Sequence, residues 1–187
     1  MMKRILTMVL ALLICMGSAL GEMKGPRGGD PANLQQGIDL MESDPEAAMA
    51  RFLAADEAGN KKAARYVGLM YEQGLGVEQD YALAASWYEK GVGSGDLTSG
   101  YYLGLLYKQG LGVDQDYGKA AGYFASVAAS ENKSATGVVD AGVELAQLYE
   151  QGLGVEQNLD RALELYREAA EYDNEAAATA LERLNAE

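Results

Sequence analysis

The strongest constraint on the fold is a ten-residue stretch that occurs three times. Tyr71-Glu-Gln-Gly-Leu-Gly-Val-Glu-Gln-Asp80 returns as Tyr107-Lys-Gln-Gly-Leu-Gly-Val-Asp-Gln-Asp116 and again as Tyr149-Glu-Gln-Gly-Leu-Gly-Val-Glu-Gln-Asn158, beginning 36 and then 42 residues further on. A period of roughly 20–50 residues marks a repeat architecture, in which each unit buries its apolar face only by stacking on its neighbours. The chain of 187 residues, 49% of them hydrophobic, can supply a continuous core of that kind.

Reading outward from the motif gives two helices per unit. Asp44, Asp80 and Asp116 recur at 36-residue intervals, and Asp is a preferred N-cap because its carboxylate accepts the unpaired amides of a first helical turn. Pro45 follows the first of these, at the one helical position where a missing N–H costs nothing. Ala48, Ala84, Ala120 and Ala162 come next in phase, followed four residues later by Phe52, Tyr88, Phe124 and Tyr166. A small and an aromatic residue at i and i+4 share one helical face, and this defines the second helix of each unit. The first helix precedes the motif: Ala63, Val67, Gly68 and Tyr71 match Ser99, Leu103, Gly104 and Tyr107, then Ala141, Leu145, Ala146 and Tyr149. Glycine inside a helix costs about 1 kcal/mol relative to Ala, so its return at one phase predicts a close helix–helix approach. Within the motif, Gly74, Gly110 and Gly152 are expected to end the first helix in a left-handed conformation. Gly76, Gly112 and Gly154 are expected to make a second sharp turn, with Val77, Val113 and Val155 plugging the core.

The flanks follow from composition. Lys3 and Arg4 precede an apolar run from Ile5 to Met16, and small residues from Gly17 to Gly21 supply a peptidase site. Residues 1–21 therefore read as an export signal, and the run is shorter than the about 20 residues of a membrane span. An uncleaved anchor, or a lipid on Cys15, are the alternatives at this end. Residues 22–43 read as a linker and lead-in, 44–60 as an N-terminal half-repeat, 61–95, 96–137 and 138–174 as three repeats, and 175–187 as a capping helix through Ala177 and Leu181. The six extra residues of the second spacing fall near 131–140 and predict a longer surface loop there. Asn132-Lys-Ser134 within it is a glycosylation sequon.

Charge and residue content exclude several functions. The chain has 15 Lys+Arg against 28 Asp+Glu and no His. That balance opposes nucleic-acid binding, which needs clustered cations, and favours basic partners. Without His, and with one Cys that leaves with the signal, neither Ser-His-Asp nor Cys-His catalysis nor a His-ligated metal centre can be assembled. Gly91-Val-Gly-Ser-Gly95 is a helix-end linker, since no strand precedes it and the dinucleotide pattern is incomplete. Asp114-Gln-Asp116-Tyr-Gly118 hints at calcium, but Ala125 stands where a bidentate Glu is needed. No cofactor and no metal are expected.

The pattern of Ala63, Val67-Gly68, Tyr71, Gly74, Gly76-Val77, Asp80, Ala84 and Trp87-Tyr88, repeated twice more, resembles the Sel1-like repeat over about residues 44–185. The resemblance implies an all-α, right-handed superhelix of antiparallel helix pairs, related to tetratricopeptide arrays, of the kind that holds protein or peptide partners in a concave groove. A cysteine-rich bacterial branch is associated with β-lactam binding, but this chain lacks those cysteines and the activity does not carry over. With tetratricopeptide geometry the first helices line the groove, which places Arg65, Tyr66, Leu69, Tyr101, Tyr102, Leu105, Glu144 and Gln147 on it. The groove should then run from basic at Lys62 and Arg65, through tyrosines, to acidic at Asp140 and Glu144. The expectation is an exported monomer, periplasmic or secreted, that binds a protein or peptide and not nucleic acid, without stable membrane insertion and without catalysis. The alternatives are a hydrolase acting on cell-wall material or β-lactams, and a structural envelope protein that self-associates.

Overall fold

Asp, Asn and Gly place the helix boundaries, and the computed structural model of the protein, which describes residues 31–186, shows how. Nine helices occur among the described residues: α1 Pro31–Leu40, α2 Pro45–Glu57, α3 Ala63–Gln73, α4 Tyr81–Gly93, α5 Leu97–Gln109, α6 Tyr117–Ala128, α7 Val138–Gln151, α8 Leu159–Ala170 and α9 Glu175–Asn185. The second helices α2, α4, α6 and α8 are capped by Asp44, Asp80, Asp116 and Asn158, each accepting a first-turn amide at 2.9–3.1 Å. Each first helix packs on the second helix that follows it, each second helix packs on the next first helix, and α9 closes the array. The result is an α-solenoid of helix-turn-helix units. The export signal expected over residues 1–21 lies outside the described residues.

The three motif loops are built alike. Gly74, Gly110 and Gly152 have φ of 70°, 72° and 68°, and Gly76, Gly112 and Gly154 follow at 66°, 69° and 68°, so both glycines of each loop sit in the left-handed region that other residues enter at a cost. The glutamine of each copy has a role the sequence does not suggest. Gln79, Gln115 and Gln157 donate their side-chain amides to the carbonyls of Glu72, Lys108 and Glu150 at 2.7–2.9 Å, satisfying carbonyls that the helix end leaves open. The second glycine also joins units. A Cβ on Gly112 would lie 2.2 Å from the carbonyl carbon of Tyr81, and one on Gly154 would lie 2.3 Å from that of Tyr117. The loop of one unit thus rests directly on the backbone at the start of the preceding unit's second helix. Val77, Val113 and Val155 are half-buried beside it.

In mid-helix, Gly68 and Gly104 face the rings of Tyr88 and Phe124, with room for no more than hydrogen: an added Cβ would come within 2.6 Å of each. This is the close approach that the recurring glycine implies. It also corrects the boundary of the array. Gly37 in α1 stands against Phe52 in the same way, with an added Cβ at 2.5 Å. The segment beginning at Asp44 is therefore not a half-unit, because α1 completes it and the described array has four helix pairs before the capping helix. Ala48, Phe52, Ala84, Tyr88, Ala120, Phe124 and Ala162 are fully buried along this spine.

Candidate partner-binding face

Curvature decides which surface is concave. Among the described residues, the first helices α5 and α7 touch directly, and no two second helices are in comparable contact. At that seam, where the first helices lie closer together than the second helices, the stack bends with the first helices inside. Arg65, Tyr66 and Leu69 on α3, Tyr101, Tyr102 and Leu105 on α5, and Glu144 and Gln147 on α7 are all half-buried there.

The side chains on this face are organised across the seams between units. Tyr66 stacks on Phe52 at 4.9 Å between ring centroids, and Tyr102, at the same phase one unit later, stacks on Tyr88 at 5.3 Å. The aromatic of one unit's second helix thus meets a tyrosine of the next unit's first helix. At the third seam that phase is occupied by Glu144, and Phe124 meets Tyr101 instead, at 6.2 Å. Tyr101 and Tyr102 form a tilted pair, 5.5 Å apart with their planes at 59°. Offset and tilted rings at such separations are each worth about 0.5–1.5 kcal/mol beyond the area they bury.

Arg65 is not a free cation at a basic end of the groove. Its guanidinium lies 3.3 Å from Asp96, with the two side chains only 11% and 6% exposed, and it covers the Tyr66 ring at 4.9 Å. Asp96 also accepts from the Ser99 amide at 3.1 Å and the Ser99 hydroxyl at 2.7 Å, so the pair pins the seam between α3 and α5. Lys108 is likewise engaged, bridging from α5 to Glu144 and, at 3.0 Å, to the Gln147 side-chain oxygen on α7. Arg183 on α9 meets Glu150 at 2.6 Å. The basic-to-acidic gradient expected along the groove is therefore absent, because acids one unit away neutralise these cations. Lys62, exposed at the edge of the first turn of α3, is the one cation of this face outside an ion pair among the described residues. The Asp96 partnership carries a local signal, Asp followed by Ser three residues on, that marks an N-cap. Nothing local pairs it with Arg65.

Among the described residues, two carboxylates on the face receive only neutral donors. The Tyr88 hydroxyl donates to Glu72, and the Asn174 carboxamide donates to Asp140 at 3.1 Å. The phenols register these charges. Burial, then Asp140 and Glu144, push Tyr101 up to about 12. Burial raises Tyr102, with Glu72 and Asp140 adding to the rise and Arg65 opposing it. Tyr88 is raised by burial and then by its bond to Glu72, and Tyr166 by burial and its 2.9 Å bond to Glu150. Among the described residues no group of three or more Cys, His or acidic side chains could hold a metal ion, and no helix is long and apolar enough to cross a membrane.

The Sel1 repeat model matches residues 61–96, 101–132 and 140–172. The chain belongs to the Sel1 repeat family. Repeats of this family typically mediate protein–protein contact. Among solved structures, the chain is similar to a protective antigen of uropathogenic Escherichia coli that displays this repeat fold, with 28% identity and a TM-score of 0.69 over 78% of this chain and 31% of that one. It is also similar to a Sel1 repeat protein from Oxalobacter formigenes, with 29% identity and a TM-score of 0.68 over 77% of this chain and 57% of that one. The chain thus spans well under two thirds of either protein. No curated protein matches its sequence.

Proposed function

We propose that this Sel1 repeat protein is an exported, non-catalytic adaptor that holds a segment of a protein partner along the inner face of its solenoid. The observation that carries this reading is the tilted Tyr101–Tyr102 pair, half-buried on α5 with Leu105 one turn further along the same helix. Tyrosine offers large contact area with few rotamers to freeze, which suits it to binding faces. Export rests on the basic, apolar and small-residue succession of residues 1–21. The absence of catalysis rests on a chain without His, whose one Cys lies in that segment.

Replacing Tyr66 or Tyr102 would test the face poorly, since both are stacked on core rings. Photo-crosslinking from exposed positions avoids that problem. A crosslinker at Gln73 or Gln109, at the ends of α3 and α5, should capture a partner from envelope extract. The same group at Glu89 or Arg167, exposed on second helices, should not. Adducts from the second-helix positions alone would refute the inner-face reading, and robust turnover of cell-wall or β-lactam substrates by purified protein would refute the non-catalytic one.

A further inference from the structure

Lys62 at the edge of α3 apart, the cations of the inner face are already matched. Arg65, Lys108 and Arg183 are each matched by Asp96, Glu144 and Glu150. Glu72 and Asp140 are left with a phenol and a carboxamide as partners, which satisfy hydrogen bonding without cancelling charge. The two flank a single aromatic chain: Glu72 receives the Tyr88 hydroxyl, Tyr88 stacks on Tyr102, Tyr102 meets Tyr101, and Asp140 lies on α7, the helix that α5 touches. Beyond burial, Arg65 acts on the Tyr102 phenol and both carboxylates oppose it, while Asp140 acts on that of Tyr101 as well. Glu72 is half-buried and Asp140 exposed; carboxylates beside aromatic rings form a receptor for an organic cation, which gains from the charge and from the ring quadrupole together.

Resting on the inner-face reading above, we propose that the partner segment is basic, and that its Arg or Lys side chains seat over Tyr101 and Tyr102 between Glu72 and Asp140. The occupant is a segment of a protein chain. The surface available is a run of successive first helices, along which an extended peptide can place several side chains at once.

The test is calorimetric titration of the full chain with a short synthetic peptide in which Arg alternates with Ser and Gly. The same peptide with Glu in place of Arg, and free arginine amide, serve as comparisons. Two double variants carry the argument. E72Q/D140N removes the two uncompensated charges and keeps an acceptor at each site, whereas E156Q/D160N removes the same net charge from exposed positions at the third motif loop and the start of α8. D140N alone, at an exposed residue, serves if the Glu72 change disturbs folding. The expected result is binding of the basic peptide, weakened about tenfold by E72Q/D140N and less than about twofold by E156Q/D160N, with no binding of the acidic peptide. Equal losses in the two double variants, no binding of the basic peptide, or equally tight binding of free arginine amide would each overturn the proposal. Failure here is distinguishable from failure of the inner-face reading. If Gln73 and Gln109 still crosslink a partner, the face stands and only its preference for a basic segment is wrong.

Discussion

Gly110 and Gly112 lie two residues apart in one loop with nearly equal φ, 72° and 69°, yet the structure assigns them different burdens. Substituting either with Ala incurs the left-handed penalty of about 1–2 kcal/mol, partly offset by about 0.4–1 kcal/mol from the stiffer unfolded chain. At Gly110 little more is lost, because the new Cβ would meet mainly the Gln115 Cβ at 3.1 Å. At Gly112 the new Cβ would meet backbone: the Tyr81 carbonyl carbon at 2.2 Å, the Ala82 nitrogen at 2.4 Å and the Tyr81 oxygen at 2.5 Å. No rotamer relieves that. Ordinary contact at about 3.5 Å requires a displacement of about 1.3 Å, and it must be taken up between the loop and the start of α4. Overpacking of this sort costs about 1–3 kcal/mol. G110A should therefore destabilise by about 1 kcal/mol and G112A by about 2–4 kcal/mol. Urea unfolding followed by far-UV circular dichroism measures both, and a lower m-value for G112A would show the units uncoupling at this seam. If the two variants agree within about 0.5 kcal/mol, the loop is not the joint between units and the stacking argument fails.

G37A should destabilise the array by about 1–2 kcal/mol in the same assay, because the Phe52 ring must move to admit the methyl while helix propensity returns about 1 kcal/mol; a stabilised G37A would remove α1 from the first unit. R65Q should cost about 3 kcal/mol by leaving Asp96 charged and buried, whereas K90Q, which breaks an ion pair from a half-exposed lysine to Asp56, should cost less than about 1 kcal/mol; comparable losses would contradict the burial argument. Stability should also fall under alkaline conditions. Tyr88, Tyr101, Tyr102 and Tyr166 hold their protons more tightly folded than unfolded, where the phenol titrates at 10.0. The native state then binds more protons above that pH, and stability declines as pH rises from about 10 through the folded values. Urea midpoints from neutral pH to about 11 should fall less steeply in Y101F, and an unchanged slope would show that Tyr101 does not contribute.

The parts of the fold legible in the sequence are those that local chemistry dictates. A left-handed glycine, an Asp cap and a mid-helix glycine each announce themselves within a few residues, so the loops and most helix boundaries follow directly. The helix α1 escapes the same logic. Gly37 and Phe52 are 15 residues apart, whereas Gly68 and Tyr88, and Gly104 and Phe124, are 20 apart. The first unit turns through Met41-Glu-Ser-Asp44 and lacks the glycine loop by which the others are recognised. The electrostatics of the inner face were hidden for a different reason. Arg65 and Asp96 are 31 residues apart, and Lys108 and Glu144 are 36 apart, so neither pairing has a local signature. A face read by residue type alone keeps cations that the fold neutralises.

The departures from periodicity gather at one place, and it is the place where the candidate site lies. Units two and four each pair a second-helix tyrosine with a first-helix glutamate, Tyr88 with Glu72 and Tyr166 with Glu150. The third unit has Phe124 and Lys108 at those positions, so its lysine has no phenol to receive and reaches forward to α7 instead. The six-residue insertion falls at this same seam and is tied down along its length. Lys133 donates to the Ala128 carbonyl at 2.6 Å and meets Glu168 at 2.7 Å, the Thr98 hydroxyl donates to the Thr136 carbonyl at 3.0 Å, and Gly137, at φ 80°, lies so close to the Tyr101 ring that a Cβ would fall 2.8 Å from it. A bare spacer would need none of these contacts. The insertion shapes the ring's surroundings: Gly137 covers Tyr101 from the loop side, Phe124 meets Tyr101 in place of the residue at the Tyr66 phase, and Asp140 and Glu144 are carried into the field of its hydroxyl. A regular array would present the same tyrosine at every seam and could discriminate little along its length. This one breaks its period beside the Tyr101–Tyr102 pair and Asp140, which would let the proposed partner be recognised by side chain and by register.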